Sequence, residues 1–315
     1  MEYMWLVLGL LVLIIGGESL VKGAVGLSTA MKISPMVIGL TVVSFGTSAP
    51  ELLVSIQSAM NGSPGIAIGN VVGSNIANLA LVLGVTVLIF PLIAERQTKV
   101  FDYPVMLIAS IMFYLFALNG VLSLWEGIIF ILILLSFTSY LIITSRKKEK
   151  KRIEESDVEE ENPLPLSRSV MFLLFGLVGL YFGSEWFVSG AKDIAAAYGL
   201  SDSVIGVTVV AIGTSAPELV ASIVAAMRHQ SDMSVGNLVG SNIFNVFAVL
   251  GVTSIVTPVD VDQSILNFDM YWMLGISALL IPILYFGSKV GRLKGVILLT
   301  SYILYIGITI YNIKN

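Results

Sequence analysis

Four polar residues in an otherwise apolar stretch, Ser44, Thr47, Ser48 and Glu51, stand at i, i+3, i+4 and i+7, so one helical face would carry them all. The pattern returns 167 residues later as Ala211, Thr214, Ser215 and Glu218. Each copy contains a proline, Pro50 or Pro217. Proline lacks an N–H, and its ring clashes with the carbonyl of residue i−4, here Gly46 or Gly213, so both helices are expected to break. Inside a membrane, freed carbonyls persist only where they line a polar cavity or hold an ion, and glycine lets the backbone approach closely there. Each motif thus offers carbonyls, hydroxyls and one carboxylate. Such an all-oxygen set suits a hard cation: Ca2+ takes about 6 to 8 oxygens at roughly 2.3 to 2.6 Å, and Na+ uses similar groups.

A second motif adds amides. Asn70, Ser74 and Asn78 form one stripe at i, i+4 and i+8, copied as Asn237, Ser241 and Asn245, with Gly73 and Gly240 before each Ser. This stripe reads as the opposite wall of an ion site. For Asn70, Asn75 and their copies, the competing reading is plain interhelical hydrogen bonding, worth about 0.6 to 2 kcal/mol. The two acids resist so bland a reading. A carboxyl at the bilayer centre costs at least about 2.5 to 3.5 kcal/mol on insertion scales, and neither motif helix contains Lys or Arg. A pair of Glu balances one Ca2+, or Na+ ions or protons in the same pocket. Ions that compete for a site open to one side at a time are exchanged, which is antiport.

Other candidates are weaker. Glu18 and its copy Glu185 read as structural, Glu18 pairing with Lys22 at i+4, with ion access as the alternative. His229 falls in a short loop, and Trp5, Trp125, Trp186 and Trp272 fall near expected span ends, as interfacial anchors do.

The elements that must position these residues follow from composition. The chain has 315 residues, 56% of them hydrophobic and only 12% charged, with a mean hydropathy of +0.93. That composition calls for lipid. Ten apolar stretches are each long enough to span a hydrocarbon core of about 30 Å: 4 to 29, 34 to 60, 65 to 91, 101 to 119, 122 to 144, 168 to 195, 203 to 227, 232 to 257, 267 to 287 and 292 to 312. The first stretch carries Glu2 where a cleaved leader would carry a basic residue, and it has an internal copy near residue 180, so it is expected to belong to the fold. No Cys is present, which excludes disulfides, thiolate nucleophiles and Cys metal sites. With one His and no HExxH, enzymatic chemistry is not expected, nor is a cofactor or a nucleic-acid partner.

The repeat fixes the organisation. GTSAPEL occurs at 46 to 52 and at 213 to 219, and GNVVGSNIANLALVLG (69 to 84) matches GNLVGSNIFNVFAVLG (236 to 251) at the same offset. The expected fold is an all-α membrane protein of ten transmembrane helices, helices 2 and 7 broken near the midplane. Residues 1–145 form a first five-helix repeat and 168–315 a second. Five crossings is an odd number, so the second repeat enters from the opposite side and is inverted, and in such transporters the shared site lies where interrupted helices meet. Between them, 146–167 reads RKKEKKRIEESDVEEENPLPLS, a charged and solvated linker. Placing it in the cytoplasm puts 15 of the 17 Lys and Arg on that side, all but Lys192 and Lys314. By the positive-inside rule both termini are then extracellular.

The paired GTSAPEL and GNxVGSNIxN motifs resemble those of the calcium/cation antiporter superfamily, specifically the prokaryotic sodium/calcium exchangers, over nearly the whole chain. The resemblance implies a plasma-membrane antiporter of Na+ and Ca2+, functional as a monomer, with electrogenic exchange and the first and sixth spans sliding as a gate. It implies that Glu51 and Glu218 are the central calcium ligands, with the Thr47 and Thr214 backbone carbonyls. Ser48, Ser215, Ser74 and Ser241 would contribute to sodium sites, and Asn78 and Asn245 would line the centre. Some members carry Asp at one of these Asn positions, a change linked to potassium use in one branch. With Asn at both, no potassium requirement is expected. Ser44 opposite Ala211 is a further asymmetry, tilting one sodium site toward the first half. The nearest rival is a Ca2+/H+ exchanger using the same carboxylates, and a more distant one is a passive cation channel.

Overall fold

The computed structural model describes residues 2 to 155, 164 to 197, 211 to 287 and 289 to 314. These are almost wholly helical. The helices are α1 (Glu2–Met31), α2 (Pro35–Thr47), α3 (Ala49–Met60), α4 (Pro64–Ile89), α5 (Thr98–Ala117), α6 (Leu124–Glu155), α7 (Leu166–Ala197), α8 (Ala211–Thr214), α9 (Ala216–Met227), α10 (Ser231–Val256), α11 (Ile265–Tyr285) and α12 (Arg292–Lys314). Among the described residues, eight helices are individually long and apolar enough to cross a membrane, and α2 with α3 forms a bent pair that brings the number to nine. The remaining expected span, 203 to 227, is described only from residue 211, so 203 to 210 lie outside the described residues.

Burial sorts these helices. In α10, 83% of the most apolar window is buried, and in α4 72%, whereas in α1, α6, α7 and α12 the share is 22% to 33%. The motif helices therefore form the centre, and the peripheral helices turn side chains such as Ile15, Leu132 and Leu174 outward. An apolar exterior around a centre containing Ser, Thr, Asn and Glu is the arrangement a lipid surround favours.

Helices α1 and α7 run antiparallel, pressed together through glycines spaced by seven: Gly9, Gly16 and Gly23 on one, Gly176 and Gly183 on the other. A Cβ on Gly9 would lie 2.8 Å from the Gly183 carbonyl oxygen, and a Cβ on Gly176 would lie 2.8 Å from that of Gly16. Shifting 9 and 16 by the repeat offset gives 176 and 183, so the second contact is the first with the halves exchanged. That exchange is the signature of a two-fold relation between the repeats, and it places α1 beside its own copy.

The loops repeat the relation. A bridge joins Leu92 to Val290, and β1 (Val121–Leu122) pairs antiparallel with β2 (Val259–Asp260). Leu92 corresponds to Val259, so the two strand contacts are near copies related by the exchange of halves. Several helices also contain π-helical turns at positions that match to within one residue: 77–82 and 245–250 in α4 and α10, and 98–102 and 265–269 in α5 and α11.

Two sequence expectations change. Glu18 does not pair with Lys22: its carboxylate accepts from Arg228, with Nε at 3.0 Å, while the Lys22 ammonium sits 4.3 Å from the Phe172 ring centroid. Reach explains this, because the close α1–α9 packing brings the end of α9 beside Glu18. The fifth span, expected to end at 144, continues as α6 through Glu155 and takes in the basic block of the linker. Residues 156–163 lie outside the described residues.

Candidate cation site at the helix breaks

The two GTSAPEL segments break in the same way. Helix α2 ends at Thr47, Ser48 adopts φ −88° and ψ 5°, and α3 leaves at 42° to α2. In the second copy Ser215 takes φ −88° and ψ 4° between α8 and α9. Each proline lies in the first turn of the following helix, where its missing N–H costs nothing to that helix. Glu51 and Glu218 follow in the same first turns, at the positive end of the helix dipole.

The halves interlock at this point. The Ser48 hydroxyl donates to Glu218 Oε1 at 3.4 Å, Thr47 also sits beside that carboxyl, and Glu51 lies within its electrostatic reach. Ser74 sits beside the Glu51 carboxyl. Across the α2–α10 contact, Thr47 Oγ1 lies 3.4 Å from Asn237 Oδ1 and 3.5 Å from Ser241 Oγ. Ser44 Oγ lies 2.7 Å from the Gly39 carbonyl and 2.9 Å from that of Asn237. Glycine at 240 allows this approach, because a Cβ there would come within 2.3 Å of Ser44 Oγ and 2.7 Å of the Leu40 carbonyl.

Of the expected site residues, Glu51, Glu218, Thr47, Ser48, Ser215, Ser74, Ser241, Asn78, Asn245 and Ser44 are all buried. Thr214 is half-buried, and the Ala211 side chain lies outside the described residues. The first amides of the two stripes act as interhelical ties: Asn70 Nδ2 donates to the Glu51 carbonyl at 3.1 Å and Ser55 Oγ at 3.0 Å, and Asn237 Nδ2 donates to Ser222 Oγ at 3.1 Å. Further in, Asn245 Nδ2 donates to Asn75 Oδ1 at 3.0 Å. Glu51 Oε2, Glu218 Oε2, Ser215 Oγ, Asn245 Oδ1 and both polar atoms of Asn78 are buried without a hydrogen-bond partner among the described residues. Buried polar atoms are ordinarily satisfied. Five of these six atoms are oxygens, the ligand type a hard cation takes, whereas Asn78 Nδ2 can only donate.

One matched pair escaped the sequence reading. Asp102 and Asp269 stand at the repeat offset, each closing a π-helical turn at the start of its helix. Asp269 Oδ1 accepts from the Tyr305 hydroxyl at 2.8 Å. Asp102 is fully buried, with Gln97 beside its carboxyl. The periodicity that revealed the Glu pair contained this signal too.

The fold and this centre define a membrane cation transporter, and comparison gives its family. The family model of the sodium/calcium exchanger protein matches residues 1–143 and 168–311. The chain belongs to that family of cation antiporters. It is 36% identical over 306 residues to the putative antiporter CaxA of Alkalimonas amylolytica, covering 96% of each chain. It is 32% identical over 346 residues to the sodium/calcium exchanger MaX1 of Methanosarcina acetivorans, covering 98% of this chain and 99% of that one. Among solved structures it superposes on the sodium-calcium exchanger NCX_Mj, soaked with Na+ and Sr2+, with a TM-score of 0.82 at 34% identity and 97% coverage of both chains. The expected family is therefore correct, and the relatives MaX1 and NCX_Mj are by name exchangers, which are transporters rather than enzymes.

Proposed function

We propose that this chain exchanges Na+ for Ca2+ across the plasma membrane by alternating access at the site between Glu51 and Glu218. In this reading ten helices cross the bilayer as two inverted five-helix repeats, 1–145 and 168–315, joined by the cytoplasmic segment 146–167. Helices α2–α3 and α8–α9 are the spans broken near the midplane, both termini are extracellular, and a single chain suffices. Glu51 and Glu218 neutralise one Ca2+, assisted by the backbone carbonyls of Thr47 and Thr214. Sodium ions use the same carboxylates with the hydroxyls of Ser48, Ser215, Ser74 and Ser241. Asn78 and Asn245 line the centre, Ser44 adds an oxygen on one side, and Ala211 offers only backbone on the other.

One observation carries the proposal: two carboxylates buried in the first turns of the helices that follow the breaks, each with an oxygen that lacks a hydrogen-bond partner among the described residues, and within electrostatic reach of one another. Two charges held so are tolerable when a cation neutralises them. Asn at both 78 and 245 leaves the pair as the dominant charge, so ions of different valence compete for it. The names borne by MaX1 and NCX_Mj support sodium as the coupling ion.

Vesicles containing the purified protein test this. An imposed sodium gradient should drive radioactive calcium uptake against its gradient, unaffected by a protonophore. Uptake that follows a pH gradient and ignores sodium would assign Ca2+/H+ exchange instead.

A further inference from the structure

The two repeats share a fold but occupy different surroundings, and the difference is concentrated along one path. A cavity of about 430 Å³ is lined by Pro50, Val54, Ser184, Glu185, Thr214 and Pro217, among others, and so runs up to the two helix breaks. The repeat counterparts of these residues are Pro217, Ala221, Gly17, Glu18, Thr47 and Pro50. On that side the helices are closed together. Val54 is 40% exposed, whereas Ala221 is 2% exposed. A Cβ added to Gly17 would come within 2.7 Å of Val220 and 3.3 Å of Val224, where Ser184 has room for its side chain. Glu185 lies in the open cavity, while Glu18 is held by Arg228 through Nε at 3.0 Å and Nη2 at 2.5 Å. The counterpart of Arg228 is the uncharged Asn61, and the cation that shares the cavity with Glu185, Lys192, stands on the same helix and so ties Glu185 to no second one.

We infer that the Glu18–Arg228 ion pair is a latch between α1 and the end of α9 that holds the second passage to the cation site shut. The inference rests on the alternating-access reading above. By the Lys and Arg bias the open cavity faces outside and the latched side faces the cytoplasm. The carboxylates at 18 and 185 then mark the two mouths. Because only one half carries an arginine, the latch favours a single closed side, and the two access states are unequal even without ions. An ion pair left this exposed, with side-chain exposures of 37% and 62%, biases an equilibrium by roughly two- to five-fold rather than locking it. That is what a gate must do if it is to open in each cycle.

The chain contains no Cys, so single introduced thiols report access to each passage. Ala221→Cys marks the latched side and Val54→Cys the open one, each labelled with a membrane-impermeant maleimide in vesicles of known orientation. Arg228→Gln and Glu18→Gln should each raise the labelling rate at Ala221→Cys by roughly two- to five-fold and lower it at Val54→Cys. The charge-exchanged double variant Glu18→Arg with Arg228→Glu should restore both rates. Unchanged rates in single variants that run as monodisperse protein on gel filtration would overturn the latch, as would a double variant that behaves like the singles. The readout needs no transport: shifted labelling without sodium-driven calcium uptake upholds the latch and overturns sodium exchange, and the opposite result overturns the latch alone.

Discussion

The Ser184 hydroxyl donates a 2.6 Å hydrogen bond to the carbonyl of Gly213, the oxygen that Pro217 deprives of its helical donor. A neighbouring helix thus supplies what the break removes, and α7 is tied to the segment leading into the site. The first half has Gly17 at the matching position and cannot make this bond. Ser184→Ala should leave the carbonyl unsatisfied and cost about 1 kcal/mol. A fall of a few degrees in the detergent melting temperature checks this, and Ser184→Thr should retain most of it.

Glu51→Gln and Glu218→Gln keep the size and burial of the side chain while removing its charge. Each should reduce sodium-driven calcium uptake more than tenfold, since a divalent ion then faces one carboxylate where it had two. Gel filtration and thermal melting should show folded protein. Normal uptake in either variant would remove that residue from the site.

Helices α1 and α7 meet backbone to backbone, so a side chain at Gly16 has nowhere to go. A Cβ there would lie 2.8 Å from the Leu180 nitrogen and 2.9 Å from the Gly179 carbonyl carbon. Gly16→Leu should force the pair apart and lower yield or melting temperature sharply. Gly275→Leu, at a position with no heavy atom near the added Cβ, serves as the control and should be mild.

The matched aspartates should respond in opposite directions. Tyr305→Phe removes the donor to Asp269 and should destabilise by about 1 kcal/mol. Asp102→Asn relieves the cost of burying a carboxyl while keeping an oxygen that can accept from Gln97, and should raise the melting temperature. The two melting curves decide the matter together: a stabilising Tyr305→Phe or a strongly destabilising Asp102→Asn would show that the surroundings of these acids have been misread.

Much of this was legible in residue order because the repeat is nearly literal. An offset of 167 residues located the Glu pair, the prolines and the amide stripes, and helical spacing put Thr47, Ser48 and Glu51 on one face. Long-range pairing was not legible. Glu18 has a suitable Lys at i+4, and local spacing favours it, yet the α1–α9 contact delivers Arg228 from a distance of 210 residues in sequence. Which amides serve as ties and which stay unpartnered was equally hidden. Asn70 and Asn78 belong to one stripe, but only Asn70 finds Ser55 within reach, because that depends on how α3 leaves the break. The helical run through Glu155 was missed for a different reason: its Lys and Arg read as solvated chain, although both are good helix formers.

The strand bridges limit how such a molecule can move. Leu92 with Val290 ties one pair of loops, and Leu122 with Val259 ties another, each stitch joining one half to the other. The repeats are therefore laced into a single frame and cannot swing apart like the shells of a clam. Helices α1 and α7 take part in neither bridge: they meet each other through glycines, and their polar ties, Glu18 to Arg228 and Ser184 to the Gly213 carbonyl, run to the segments on either side of the second break.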